Sequence, residues 1–277
     1  MEMSLIEFRG VAKRFNDKTV LDRADLKIYE NQITTIIGKS GSGKSVLLKH
    51  IVGLISPDQG TILFRGKPVN EMSKKEWDGC RLQISYMFQN NALFDSMTVF
   101  ENIALPLRQA TDLKKTEIKK RVMSRLDQME LAEVIHEYPS ELSGGMQKRA
   151  ALARALVTDP AIVLFDEPTT GQDPIRKNAI LSMIAHYRKQ FGFTAVLVSH
   201  DIPDVFFVSD RVLFLWEGKI AFHGTYEELS RFKHPIMQEF KKSIEDLSNE
   251  LPEPLSREML RMHYVLTPDD IKEDYSK

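Results

Sequence analysis

The chain has 277 residues, 42% hydrophobic and 28% charged, with a formal net charge of −1. That length holds one large domain with a sizeable core, or one domain plus an appendage, and the near-neutral balance supplies no global field toward nucleic acid or anionic lipid. Cys80 is the single cysteine, so an internal disulfide is excluded and a reducing compartment is expected. No stretch reaches the eighteen or so apolar residues that a bilayer crossing requires. The start, Met1-Glu2-Met3-Ser4-Leu5, lacks the basic-then-apolar build of a secretory leader. Folding in the cytoplasm is therefore expected, with any membrane role exercised through a partner.

Leu5-Ile6-Glu7-Phe8 through Val20-Leu21 reads as short strands joined by a turn at Asn16-Asp17. Ile33-Thr34-Thr35-Ile36-Ile37 has no polar face, as in a strand buried on both sides of a parallel sheet. It runs into Gly38-Lys39-Ser40-Gly41-Ser42-Gly43-Lys44-Ser45 and then into a helical pattern from Val46 to Ile51. This octapeptide has the phosphate-binding form G-x-x-x-x-G-K-[ST]. Its glycines let backbone N–H groups turn toward phosphate oxygens, and the helix N-terminus adds partial positive charge. Lys44 is placed to reach terminal phosphates as a point charge and Ser45 to offer a hydroxyl to Mg²⁺.

About residues 90–156 form a helix-rich region without a comparable β-run, read as a helical insertion in an α/β core. Ala161–Phe165 and Thr194–Val198 are two further buried-strand runs, ending in Asp166-Glu167 and Ser199-His200. Pro174 opens a helical stretch between them. Alternating strands and helices predict a parallel sheet with ligand chemistry at the strands' carboxyl ends. Asp166 is positioned to hold magnesium through water, and Glu167 to act as general base on an attacking water. Farther on, Arg211–Trp216 and Lys219–His223 flank Glu217-Gly218 as a hairpin, and Thr225 to Glu228 has capping-box spacing. Beyond Phe240, prolines interrupt short charged segments. Residues 1–240 are thus expected to form the main domain and 241–277 an extension that packs on either a second copy of the chain or a membrane partner through Leu251, Leu255, Met259 and Leu260.

Leu142-Ser143-Gly144-Gly145-Met146-Gln147 precedes a helical pattern and sits shortly before Asp166-Glu167. It resembles the signature motif of ABC transporter ATPases, and with the phosphate loop and the acidic pair the resemblance covers about residues 3–235. The resemblance implies the ABC ATPase fold: a P-loop core with a mainly parallel sheet, an antiparallel β subdomain and an inserted α-helical subdomain. It implies hydrolysis of ATP with Mg²⁺ in a homodimer, where Ser143, Gly144, Gly145 and Gln147 cap a nucleotide held by the other copy's P-loop, residues 38–45. Gln89 is similar to the Q-loop glutamine that touches magnesium, His200 to the switch histidine, and Phe15 to the aromatic that stacks on adenine. Asp173 stands at the D-loop position, where Gln172 departs from the leucine that many members carry.

Asn91 through Ile103, with Pro106-Leu107-Arg108, Gly144-Gly145-Met146 and Gly171-Gln172-Asp173-Pro174, looks like the ATPase of Mla-type phospholipid transport systems. That likeness implies an integral-membrane permease of the MlaE kind and a place on the cytoplasmic face of the inner membrane. An MCE-domain lipid-binding protein and a STAS-domain subunit belong to such systems, and nucleic acid does not. Leu93, Phe94 and Met97 are expected to line a groove for the permease's coupling helix. The alternatives are an FtsE-like ATPase of a cell-division regulatory complex and the ATPase of a small-molecule importer.

Overall fold

Strand β3 (Ile33–Ile37) is buried at all five positions, and it lies at the middle of the larger of two sheets. The computed structural model describes residues 4–88, 92–199, 204–232 and 235. Gln89, His200 and the 241–277 extension, for which the sequence predicts roles, fall outside those residues.

The smaller sheet is antiparallel. Strands β1 (Ser4–Phe15) and β2 (Lys18–Tyr29) form a long hairpin turning at Asn16-Asp17, with Phe15 paired to Lys18. Strands β4 (Gln59–Phe64) and β5 (Lys67–Pro68) complete the order β2-β1-β4-β5. The sequence suggests short strands here. Both arms instead run twelve residues, because register shifts along the pairing let them bend without ending. At one bend, Gly60 has φ +84, and a Cβ there would lie 2.3 Å from the Gly10 carbonyl oxygen.

The larger sheet collects β6 (Ile84–Met87), β7 (Ile162–Asp166), β8 (Thr194–Val198), β9 (Arg211–Trp216) and β10 (Lys219–Gly224) around β3. Its order is β10-β9-β3-β8-β7-β6. All neighbours are parallel except the β9–β10 hairpin. Such a sheet must be covered on both faces, which is why β3, β7 and β8 read as unbroken apolar runs. Helix α1 (Lys44–Ile51) follows β3; α2 (Lys74–Arg81) precedes β6; α6 (Pro174–Phe191) joins β7 to β8.

Between the adjacent strands β6 and β7 the chain makes α3 (Val99–Ala110), α4 (Lys115–Gln128) and α5 (Gly144–Leu156), and no strand among the described residues. Thr98 starts α3 with a capping box in which its hydroxyl accepts from Glu101 N and the Glu101 carboxylate accepts from Thr98 N. The predicted box at Thr225 and Glu228 likewise forms and opens α7 (Tyr226–Arg231). The core of the Met1–Leu229 unit contains Phe8, Ile36, Leu47, Leu164, Val196 and Leu213, drawn from both sheets and α1.

Candidate nucleotide and magnesium site

The phosphate loop leaves the carboxyl end of β3 and packs against two other elements. Gly43 has φ +105, and a Cβ there would meet Val20 Cγ1 at 2.8 Å; Gly41 is left-handed at φ +74. A Cβ on Gly38 would come 2.5 Å from the Leu215 carbonyl oxygen of β9. Glycine is thus required by backbone conformation at two positions and by close approach at two. The loop borders a cleft of about 380 Å³, lined on one side by Ser40, Gly41, Gly43, Lys44 and Ser45 and on the other by Asp166 and Glu167. Val20 also lines it, and the same hairpin carries Phe15 at its tip, 43% exposed and approached by Lys13 Nζ at 5.6 Å from the ring centroid.

Lys44 is only 4% exposed. Its ammonium donates to the carbonyls of Gly38 at 3.0 Å and Lys39 at 3.2 Å, and lies 4.0 Å from Glu167 Oε1. Burial pushes its pKa down, and the nearby Glu167 and Asp166 carboxylates oppose that shift. Ser45 Oγ donates to Asp166 Oδ1 at 2.9 Å, joining the first turn of α1 to the end of β7.

Glu167 has φ +52, a left-handed conformation that costs a non-glycine residue on the order of 1 kcal/mol. Its N–H still donates to Val198 O at 3.0 Å, extending the β7–β8 ladder while the chain turns away. Thr170 Oγ1 donates to Glu167 Oε2 at 3.1 Å. Strain of this kind persists where surrounding structure fixes a side chain for use.

The residues fit a nucleotide with magnesium. A lysine, a glycine-bound loop and a helix N-terminus face one cleft, and the buried Ser42 hydroxyl has no hydrogen-bond partner among the described residues. One hydroxyl and one carboxylate side by side suit Mg²⁺, which keeps several waters and relies on few protein oxygens plus substrate phosphates.

Ser143 caps α5, its Oγ accepting from Met146 N at 3.3 Å. Gly144 and Gly145 differ from the loop glycines: a Cβ at either would meet nothing within 4 Å. Packing among the described residues does not require glycine there. Gln147 is half-buried and donates through Nε2 to the carbonyls of Pro139 at 2.9 Å and Leu142 at 3.3 Å, pinning the turn before the helix. Asp173 caps α6, accepting from Arg176 N at 3.0 Å and pairing with Arg176 Nε at 3.2 Å.

Sequence patterning did not single out Tyr86. Its hydroxyl donates to Asp166 Oδ2 at 2.6 Å, while burial and the neighbouring carboxylate hold the phenol's pKa well above its ordinary value. Nor did it find Lys148 and Arg154 on α5, which donate to the carbonyls of Pro168 at 3.2 Å and Ala92 at 2.7 Å. These bonds tie the signature helix to the segments after Glu167 and after Gln89. No spacing rule marks any of the three.

The family model for ABC transporters matches residues 21–170, over half the chain. This chain belongs to that family. The Escherichia coli protein named intermembrane phospholipid transport system ATP-binding protein MlaF is 39% identical over 243 residues, covering 88% of this chain and 90% of that protein. Among solved structures, CbiO1 from Clostridium perfringens, part of the ABC transporter complex CbiONQ, matches with TM-score 0.77 and 28% identity over 93% of this chain and 99% of that one. The ATP-binding cassette MJ0796, solved as a dimer in a post-hydrolysis state with ADP and Pi, matches with TM-score 0.67 and 30% identity, covering 79% of this chain and 98% of that one. The ABC protein described here is accordingly an ATPase that binds ATP with Mg²⁺. Among its described residues no helix is long and apolar enough to cross a membrane.

Proposed function

We propose that this ATPase is the energising subunit of an Mla-type phospholipid transporter, acting as a homodimer on the cytoplasmic face of the inner membrane. The observation that carries the reading is the 39% identity to MlaF across about nine-tenths of both chains. Its partners are then an MlaE-like permease, an MCE-domain protein and a STAS-domain subunit. The exposed Phe94 and half-buried Leu93 and Met97 supply apolar surface for the permease's coupling helix.

Within each site the P-loop amides of residues 38–45 and the Lys44 ammonium bind the ATP phosphates, and Phe15 stacks on adenine. Ser45, Asp166 and Gln89 hold Mg²⁺, which when bound neutralises charge on the phosphates. Glu167 accepts a proton from the attacking water, and His200 steadies that carboxylate and the γ-phosphate. The tip of α5 from the second copy, with Ser143, Gly144, Gly145 and Gln147, covers the γ-phosphate, and Asp173 faces the opposite P-loop. The open space around Gly144 and Gly145 supports that role, since a residue free to be larger is kept small for something outside its own chain. ATP favours the closed dimer because the second copy contacts it only there; that differential affinity drives the permease.

Reconstitution with the membrane partner in vesicles carrying fluorescent phospholipid tests the reading. ATP should accelerate lipid transfer and Glu167→Gln should abolish it. Hydrolysis without lipid movement would remove the phospholipid assignment and leave the ATPase standing.

A further inference from the structure

Asp166 is held at both carboxylate oxygens by groups from different elements. Ser45 Oγ on α1 donates to Oδ1 at 2.9 Å, and Tyr86 OH on β6 donates to Oδ2 at 2.6 Å. The second distance is that of a charge-assisted O–H···O⁻ bond, among the stronger hydrogen bonds in proteins. Rotation of a carboxylate about its last torsion is broad and roughly two-fold, so one bond leaves its plane loosely set and two fix it. Tyr86 is itself well anchored. Its backbone pairs with Leu164 in the β6–β7 ladder, and its ring lies 4.5 Å from that of Phe88 at a 41° tilt. The hydroxyl therefore approaches Asp166 from the rigid sheet, not from a loop.

We propose that Tyr86 is a positioning residue of the magnesium site: its hydroxyl fixes the plane of the Asp166 carboxylate so that the metal and its waters meet an oriented oxygen. The proposal rests on the reading that Asp166 serves the magnesium. Ligand-orienting hydrogen bonds of this kind are worth 10- to 100-fold in metal affinity. The bond also joins the metal site to β6, the strand that leads to Gln89, so a shift of that strand reaches Asp166 directly.

The test uses the full chain and Mn²⁺ as the probe. The concentration of Mn²⁺ that half-saturates the ADP-bound protein is measured by electron paramagnetic resonance, alongside ADP affinity in EDTA, for Tyr86→Phe and Asp166→Asn. Tyr86→Phe keeps the ring and its packing. It should raise half-saturation about 10-fold or more, broaden the Mn²⁺ signal and leave metal-free ADP affinity unchanged. If Asp166→Asn weakens Mn²⁺ binding and Tyr86→Phe does not, the positioning role is wrong. If neither variant changes it, the assignment of Asp166 to the metal fails first and the proposal falls with it. A parallel loss of metal-free ADP binding in Tyr86→Phe would mean the hydroxyl supports the fold of the site generally, which also overturns the proposal.

Discussion

Lys44 and Glu167 face each other across the cleft at 4.0 Å, ammonium nitrogen to carboxylate oxygen. In the proposed mechanism the two groups have opposite tasks, one drawing phosphate in and the other drawing a proton off water. The carboxylate also helps to keep the lysine charged, countering the burial that lowers the Lys44 pKa. Because they belong to α1 and to the turn after β7, the relation exists only once β3 and β7 are aligned on either side of β8.

Glu167→Gln keeps the size and the Thr170 contact but cannot take a proton. Turnover measured by phosphate release should fall about 10²- to 10⁴-fold, while nucleotide affinity stays within a few-fold. Full turnover in the variant would remove Glu167 from the role of base.

Gly43→Ala and Gly144→Ala separate two reasons for glycine. The first places a Cβ 2.8 Å from Val20 Cγ1 at φ +105, so thermal unfolding should report a loss of about 1–3 kcal/mol. The second adds a methyl to open space in a helix, so stability should hold or rise by up to about 1 kcal/mol. Its ATPase should nevertheless drop at least about 10-fold if a second copy sits against that tip. An unimpaired Gly144→Ala enzyme would argue against the composite site.

Asn102 is fully buried and staples the segment that precedes α3. Its Oδ1 accepts from Phe94 N at 2.8 Å, and its Nδ2 is shared among the carbonyls of Phe94, Met97 and Thr98 at 3.0–3.1 Å. Asn102→Ala removes the partner of Phe94 N and of the Met97 carbonyl, while the Phe94 and Thr98 carbonyls keep Met97 N and Asn102 N, and should cost about 1–3 kcal/mol. It should weaken co-purification with the membrane partner and spare ATP binding by the free chain. A melting temperature equal to wild type would contradict the staple.

His223 supplies a pH signature. Burial, with repulsion from Arg211 and Lys27 set against attraction from Glu228, pushes its ring pKa down to about 4. His50 is shifted in the same direction, chiefly by burial. A depressed histidine is neutral when folded and takes up a proton when unfolded, so stability is highest above about pH 6.5 and falls as pH drops toward 4. His223→Gln should flatten the dependence of melting temperature on pH across that window. An identical slope in the variant would mean that His223 is not its source.

Much of the fold was legible because it is written locally. A β-branched run without a polar face, then a glycine loop, then a helical period identifies β3, the phosphate loop and α1 without reference to anything distant. The Thr225 capping box and the Glu217-Gly218 turn are equally short-range. The segment from Gln59 to Arg81 is not legible in the sequence, since strands of six and two residues and an eight-residue helix leave too little periodicity to recognise. The lengths of β1 and β2 exceed what the sequence suggests because bulges interrupt their alternation.

A linear reading of the chain yields the inventory: which loop has the phosphate-binding form, which carboxylates end a buried strand, and which serine–glycine pair heads a helix. Backbone conformation and hydrophobic period are local properties, so a linear reading recovers them. Only the tertiary structure decided that Tyr86 grips Asp166 from eighty positions away, that Asn102 closes a loop, and that Gly43 is small because of Val20 while Gly144 is not small on account of its own chain. Those are contacts between side chains brought together by sheet order, and nothing in the spacing of residues along the chain encodes a distance across it.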